Sequence, residues 1–311
     1  MEPASRGGRS RRLLLIALAA AVPWSWFLVR GVGGPVDSVA VGLPFVGVAA
    51  IVATAVAAVL TARAWPLVAG ASTFVVCAVA VLAPRWPSTI ALPSPAYRVV
   101  MANLWEENPT PQAVPTSLLE RDADMIVAVE LPGPPFADEM TASAASAGLV
   151  STVRDGELAA WSRFPLRELA DQGLPPARVM RVGVDAPGSP FVMYVVHGLN
   201  PLRDTTFSDQ RRFVDDLLAS IRSEHRPVVV AGDFNMSDRV VSYRMMAGSL
   251  TDAMRAGDAG GTTYVGGWWA PLLLRIDHIF VDPGWCAADP GTFTVAGSDH
   301  RGIEVGVGPC A

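Results

Sequence analysis

Val228-Val-Val-Ala-Gly-Asp-Phe-Asn-Met236 is the stretch on which the reading of this chain turns. Its apolar, largely β-branched start suits a short strand buried on both faces, and Gly232 lets the chain turn where the strand ends. Asp233 and Asn235 follow, two residues apart in extended chain and therefore pointing the same way. A carboxylate there can take a proton from water or hold a metal, and a carboxamide can donate to a phosphoryl oxygen as charge develops. A turn that uses Asp and Asn only for their backbone hydrogen bonds would read the same. The other strands decide between the two.

Tyr97-Arg-Val-Val-Met-Ala-Asn103 ends in an amide, Met125-Ile-Val-Ala-Val-Glu130 in a carboxylate and Phe191-Val-Met-Tyr-Val-Val-His197 in an imidazole. Different strands that each deliver a polar group at one end imply a shared rim, which is how sites are built on layered folds. The apolar runs at 276–281 and 302–307 complete the strand pattern. Between them, Phe213, Val214, Leu217, Leu218 and Ile221 repeat at three and four residues, which predicts a helix over 208–223, and a second is expected after Pro115. Strands alternating with helices give an α/β layered domain. Of the four histidines, His225 lies at the polar end of the long helix, and the other three fall in Phe191–His197, Arg275-Ile-Asp277-His278-Ile and Ser298-Asp299-His300. His278 alternates with apolar neighbours and reads as a packed core group, whereas His300 sits in a turn and is the better chemical candidate.

The rest of the chain is far more apolar. Of the 311 residues, 51% are hydrophobic and 17% charged, too apolar for an ordinary water-soluble enzyme. Three runs carry this excess, at about 13–29, 38–62 and 66–83, each near the roughly 20 helical residues that cross a bilayer core. We expect three transmembrane helices within a membrane region 1–85, a proline-rich extended spacer 86–95, and a globular domain 96–311. Arg6, Arg9, Arg11 and Arg12 precede the first run, so the positive-inside rule holds the N-terminus in the cytoplasm and sets the domain on the outer face. Residues 86–311 carry 17 Arg, no Lys and 27 acidic residues, a balance that argues against capture of nucleic acid by charge alone. Cys286 and Cys310 both lie in this part and can pair outside the cytoplasm or remain two thiols.

The ordered set Asn103, Glu130, His197, Gly232-Asp-Phe-Asn235, Arg275-Ile-Asp-His-Ile279 and Ser298-Asp-His300, with Trp161-Ser-Arg-Phe-Pro165, resembles the endonuclease/exonuclease/phosphatase superfamily over roughly residues 96–308. The resemblance implies a four-layer α/β sandwich, two packed β-sheets flanked by helices, and hydrolysis of phosphodiesters or phosphomonoesters with a divalent cation, magnesium (Mg2+) or alternatively manganese (Mn2+). On that pattern Glu130 is the principal metal ligand, Asn103 beside it holds the metal shell or a phosphate oxygen, and Asp299 lies near the metal or the leaving oxygen. Asp233 orients or deprotonates the attacking water, and Asn235 and His197 bond the phosphoryl oxygens. Asp277 pairs with His300 and keeps it protonated. The sequence His197-Gly-Leu-Asn200-Pro departs from the shorter turn of relatives, which makes Asn200 a substrate-contact candidate. Tyr264, Trp268 and Trp269, just before the Arg275 strand, are candidates for stacking on a base or gripping a lipid. The expected function is a membrane-anchored phosphoesterase acting on a lipid-linked or small phosphoester. The alternatives are an outward-facing nuclease on DNA or RNA and a catalytically silent binding module. No protein partner is indicated.

Overall fold

The computed structural model describes residues 21, 23–87, 91–203, 205–257, 261–267 and 272–311. In chain order its elements are helices α1 (Pro35–Thr61) and α2 (Trp65–Leu82), strand β1 (Tyr97–Asn103), α3 (Val114–Leu119), β2 (Met125–Val129), α4 (Pro134–Ser146), β3 (Ser151–Asp155), β4 (Leu158–Ser162), β5 (Leu166–Leu169), β6 (Val179–Val184), β7 (Phe191–His197), α5 (Phe207–Arg222), β8 (Val228–Asp233), α6 (Val241–Ser249), β9 (Thr251–Asp252), β10 (Asp277–Val281), β11 (Trp285–Thr294) and β12 (Arg301–Pro309).

The strands form two six-stranded sheets, ordered β11-β12-β1-β2-β4-β3 and β5-β6-β7-β8-β10-β9. Each is antiparallel except at its centre, where β1 pairs parallel with β2 and β7 with β8. The sheets pack face to face through Met101, Val127, Met193, Val229, Ile279 and Val305. Helices α3 and α4 cover the outer face of the first sheet through Leu118 and Met140, and α5 and α6 cover the second through Leu217 and Met246. β2, β7 and β8 are buried along their whole length, and β1 everywhere but at Arg98, which is why they read in the sequence as apolar runs. The long expected helix is α5. It is opened by a capping box in which Asp209 N–H donates to Thr206 Oγ1 (3.1 Å) and Thr206 N–H to Asp209 Oδ2 (3.1 Å), and its five periodic apolar residues are all buried.

Two helices, not three, are long and apolar enough to cross a membrane among the described residues: Pro35–Thr61 and the stretch Trp65–Arg85. These correspond to the second and third of the three expected transmembrane helices. Most of the first expected span lies outside the described residues, and of it the helix at 23–29 is seen. α1 and α2 form a hairpin in which glycines permit close approach. A Cβ on Gly70 would lie 1.9 Å from Thr54 Oγ1, and one on Gly47 3.1 Å from Cys77 Cβ. Such small-residue seams are how apolar helices associate where hydrophobicity cannot drive them together. The outward side chains of the hairpin, among them Phe45, Val48, Val59, Leu67, Val68 and Val75, are exposed.

The segment expected to be an extended spacer lies along the domain where it is described. Ser94 N–H donates to the Pro309 carbonyl (2.8 Å) and Ala311 N–H to that of Leu92 (3.1 Å). Beside it Cys286 and Cys310 form a disulfide, 24 residues apart in sequence, that ties the start of β11 to the chain end. A loop of that length implies about 3 kcal/mol from restriction of the unfolded chain. The C286S/C310S double variant is expected to lose about that unfolding free energy, read as a lower denaturant midpoint, with its activity retained. An unchanged midpoint would contradict the assignment.

Candidate active site

The strand ends hold the site together by register. His197 stands opposite Asp233 across the β7/β8 pair, and Asp233 opposite Asp277 across β8/β10, so three polar residues from three strands lie in one row. In the facing sheet Asn103 ends β1, and Glu130 follows β2. The strands come this close because Gly232 and Gly198 carry no side chain: a Cβ on the first would lie 1.8 Å from the Val196 carbonyl oxygen, and on the second 2.3 Å from that of Phe234. Glu130 and Asn235 adopt the left-handed conformation, with φ of 53° and 50°. That is an uncommon backbone for residues other than glycine and occurs disproportionately where function fixes the geometry.

Asn103 Nδ2 donates to Glu130 Oε1 (2.8 Å) and to Asp233 Oδ2 (3.0 Å), bridging the two sheets with one amide. His197 donates from Nε2 to Glu130 Oε1 (3.2 Å) and from Nδ1 to Glu157 Oε1 (2.8 Å). Burial alone would make His197 less basic, but Glu130, Glu157 and the charge of Asp233 raise it to about 10, so it is an imidazolium at neutral pH. Burial would likewise raise Glu130, yet its bonds from His197 and Asn103 hold it at about 2. His300 repeats the pattern: Nδ1 donates to Asp277 Oδ2 (2.9 Å), and against the effect of burial the charge of Asp277 raises the imidazole to about 10. Its Nε2 lies 3.8 Å from Asp233 Oδ2 and 4.0 Å from Asp299 Oδ1. Asp233 itself is pushed well above the usual carboxylate range by burial and the neighbouring Asp277. A carboxylate with raised proton affinity is suited to accept a proton near neutral pH. Asn235 N–H donates to Asp233 Oδ1 (2.7 Å) and its Nδ2 to the Gly198 carbonyl (3.2 Å), which fixes the turn.

Glu130, Glu157, His197, Asp233, Asn235 and His300 line one pocket of about 710 Å³, which also receives Asn200, Tyr264 and Asp299, whereas Asp277 is buried behind His300 and does not line it. Tyr264 pairs by a backbone bridge with His300, ring edge to ring at 5.1 Å. Trp268 and Trp269 lie outside the described residues. Asn103, buried beneath the pocket, reaches it only through Glu130 and Asp233. Residues that sequence reasoning did not single out also face the pocket: Glu157, Arg178, the pair Glu106 and Glu107, and Val41 from α1. Glu157 follows Gly156 in an ordinary two-residue hairpin turn, and nothing local marks it. The pocket is lined by Glu106, Glu107, Glu130, Glu157, Asp233 and Asp299 against Arg178, Arg203 and the protonated His197 and His300, which leaves acids in excess. An anionic ester would be repelled from that lining without added positive charge. The Glu130, His197 and Asp233 ligand atoms lie within 4.8 Å of one another, as do those of Asp233, Asp277 and His300. Carboxylate and amide oxygens suit a hard divalent cation, so the residues present fit one.

His278, expected to be a packed group, is fully buried against Phe234, Tyr243 and Phe280, and its Nε2 donates to the Met236 carbonyl (3.0 Å). Burial, aided by Arg275, lowers it to about 4. Because the folded imidazole binds its proton more weakly than the unfolded one, its contribution is fully present above about pH 6.5 and is lost as pH falls toward 4. The loss amounts to about 3 kcal/mol over that window. H278Q keeps a donor to Met236 and cannot titrate, so its denaturation midpoint should vary less between pH 6.5 and 4 than that of the unaltered chain. Equal slopes would refute the assignment.

The chain matches the endonuclease/exonuclease/phosphatase family over residues 102–300. No curated protein sequence matches it. Solved structures share the fold at low identity. An endonuclease/exonuclease/phosphatase from Beutenbergia cavernae is 19% identical with a TM-score of 0.55, covering 69% of this chain and 72% of that one. Sphingomyelinase C from Streptomyces griseocarneus is 16% identical with a TM-score of 0.51, covering 68% and 99%. A humanized D. rerio TDP2 is 15% identical with a TM-score of 0.53, covering 68% and 98%. The match covers most of the chain, including β2, β4, β7, β8 and β10 and every polar strand end described above, and the protein is a member of the endonuclease/exonuclease/phosphatase family, a metal-dependent hydrolase of ester bonds.

Proposed function

We propose that this chain is a membrane-anchored phosphoesterase of the outer membrane face, dependent on a divalent cation, with magnesium preferred and manganese accepted. The observation that carries the reading is that His197 and Asp233, from the strand row that ends at Asp277, meet Glu130 and His300 in one acid-lined pocket, with Asp277 buried behind His300. Glu130, with Asp299, would hold the cation, which when bound supplies a Lewis acid for the phosphoryl oxygens, and Asn103, expected as a ligand, instead orients Glu130 through its Nδ2, since its Oδ1 accepts from Trp105 N–H. Asp233 orients the attacking water and accepts its proton. His197 and Asn235 donate to the phosphoryl oxygens as charge grows, and His300, kept protonated by Asp277, does so from the opposite strand end. Asn200 and Tyr264 face the rest of the substrate.

The hairpin's exposed apolar surface supports membrane anchoring. Its turn carries Arg63 at the end away from the domain, in accord with a cytoplasmic turn, and the Cys286–Cys310 disulfide fits an oxidising compartment. Arg30 and Arg85, on the domain side, weigh little against this orientation because each is engaged, Arg30 over the Phe27 ring and Arg85 with Asp238. The test is hydrolysis by the full chain in nanodiscs of bis-p-nitrophenyl phosphate, phospholipids and plasmid DNA, with magnesium and with EDTA. Metal-dependent turnover of the small ester or of lipid is expected. DNA cleavage as the main activity would favour a nuclease instead, and no turnover on any substrate would return the silent-module reading.

A further inference from the structure

The hairpin does more than tether. Its two close contacts, Gly47 with Cys77 and Gly70 with Thr54, set the antiparallel register, which places the end of α2 at Leu82 level with residue 42 of α1. Residues 42–61 therefore suffice to cross a bilayer core, which takes roughly 20 helical residues. The first seven positions of α1, Pro35 to Val41, project about 10 Å beyond the end of α2 at 1.5 Å per residue. That projecting turn is bound into the domain. Asp37 Oδ1 accepts from Val241 N–H (3.1 Å), Arg239 Nη1 donates to the Val41 carbonyl (3.4 Å), and Arg85 Nε donates to Asp238 Oδ2 (3.1 Å), which also accepts from Arg275 Nε (3.3 Å).

Val41, where α1 leaves the bilayer core, lines the catalytic pocket. Beside it the same pocket is walled by Phe207, Leu274 and Ile276, and by exposed Leu202 at its edge. Glu130, His197, Asp233 and His300 lie in the rest of the lining. The pocket is thus amphipathic, with an apolar side continuous with a membrane helix and a polar side that holds the reacting groups.

We propose that the hairpin is a wall of the active site, and that Val41 receives the apolar part of a substrate whose tails remain in the outer leaflet, so that the ester attacked belongs to a membrane phospholipid. This rests on the phosphoesterase reading above and names its substrate class. Val41 acts as a specificity determinant; the chemistry stays with the polar side.

The experiment compares long-chain dioleoyl and short-chain, water-soluble dihexanoyl forms of phosphatidylglycerol, phosphatidylethanolamine and phosphatidylcholine, with bis-p-nitrophenyl phosphate as a third substrate type. The full chain is used in nanodiscs with magnesium. For at least one headgroup, kcat/KM for the dioleoyl lipid should exceed that of its dihexanoyl form tenfold or more. V41Q should reduce that ratio at least tenfold, chiefly through KM for the dioleoyl lipid, and V41L should restore it. A ratio near one, a V41Q effect equal on both chain lengths, or cleavage of plasmid DNA without lipid turnover each overturns the proposal. If bis-p-nitrophenyl phosphate is turned over in those cases, the phosphoesterase reading stands without it. Failure of all substrates, the small ester included, overturns both.

Discussion

Replacing Glu130 by alanine is expected to lower metal-dependent turnover about 10³-fold or more while the protein remains folded. The expectation follows from what Glu130 touches. Its carboxylate faces the pocket and receives bonds from Asn103 and His197, and it is held ionised at about 2. Each partner keeps a second acceptor when Glu130 is lost: Asn103 still reaches Asp233, and His197 still reaches Glu157. The left-handed backbone at this position costs alanine about what it costs glutamate, because both carry a Cβ. Folding stability should therefore change little, and the loss should fall on catalysis and on cation affinity. Calorimetric titration with magnesium measures the second independently of turnover. E130Q separates charge from shape, since it retains an acceptor for Asn103 and His197. An E130A protein that hydrolyses bis-p-nitrophenyl phosphate at the original rate would remove Glu130 from the site.

Much of this architecture is legible in the residues, for physical reasons that also mark where legibility ends. β1, β2, β7 and β8 are sandwiched between a second sheet and a helix layer, so burial on both faces writes them as apolar runs that stop abruptly at a polar residue. The polar ends Asn103, Glu130, His197 and Asp233 announce the rim for the same reason. β3 and β5 lie at sheet edges and are partly exposed, with Arg154, Arg167 and Glu168 in them, so no apolar run betrays them. Helix α4, Pro134–Ser146, is built from small residues and threonine or serine around Phe136 and Met140, too few large apolar groups for a clear period. Glu157 is invisible because its role depends on the spatial neighbour His197, 40 residues away. The wall that α1 contributes is hidden for a different reason: the runs at 38–62 and 66–83 read as membrane helices whether or not they touch the domain. The register of the hairpin and contacts such as those of Asp37, Arg239 and Arg85 join the two parts, and each depends on a spatial neighbour far away in the sequence.

The Asp277–His300 pair yields the second large effect, one that shows in the pH profile as well as in the rate. In the unaltered chain His300 is protonated up to about pH 10, chiefly because Asp277 outweighs the burial that would deprotonate it. D277N keeps an acceptor for His300 Nδ1 and removes the charge. Burial is then opposed only by the charges of Asp233 and Asp299, so the pH at which the imidazole releases its proton should fall back toward the usual 6.5. At pH 8 the variant loses a cationic donor to the phosphoryl group, and turnover should fall about 10²-fold to 10³-fold. The same substitution acts on Asp233, whose raised proton affinity is due first to burial and then to Asp277, its neighbour across β8/β10. With that like charge gone, Asp233 ionises at lower pH. Both limbs of the rate profile should therefore move toward acid: the rise that tracks ionisation of Asp233 begins earlier, and a fall that tracks deprotonation of His300 appears near or below neutrality. Activity of D277N should recover in part between pH 5 and 6, where the unaltered chain gains nothing relative to pH 8. H300A, which lacks the imidazole altogether, should show the low rate without that recovery. A D277N profile that is merely scaled down, with its limbs unmoved, would mean that Asp277 holds the strand end in place and does not set the charge of His300.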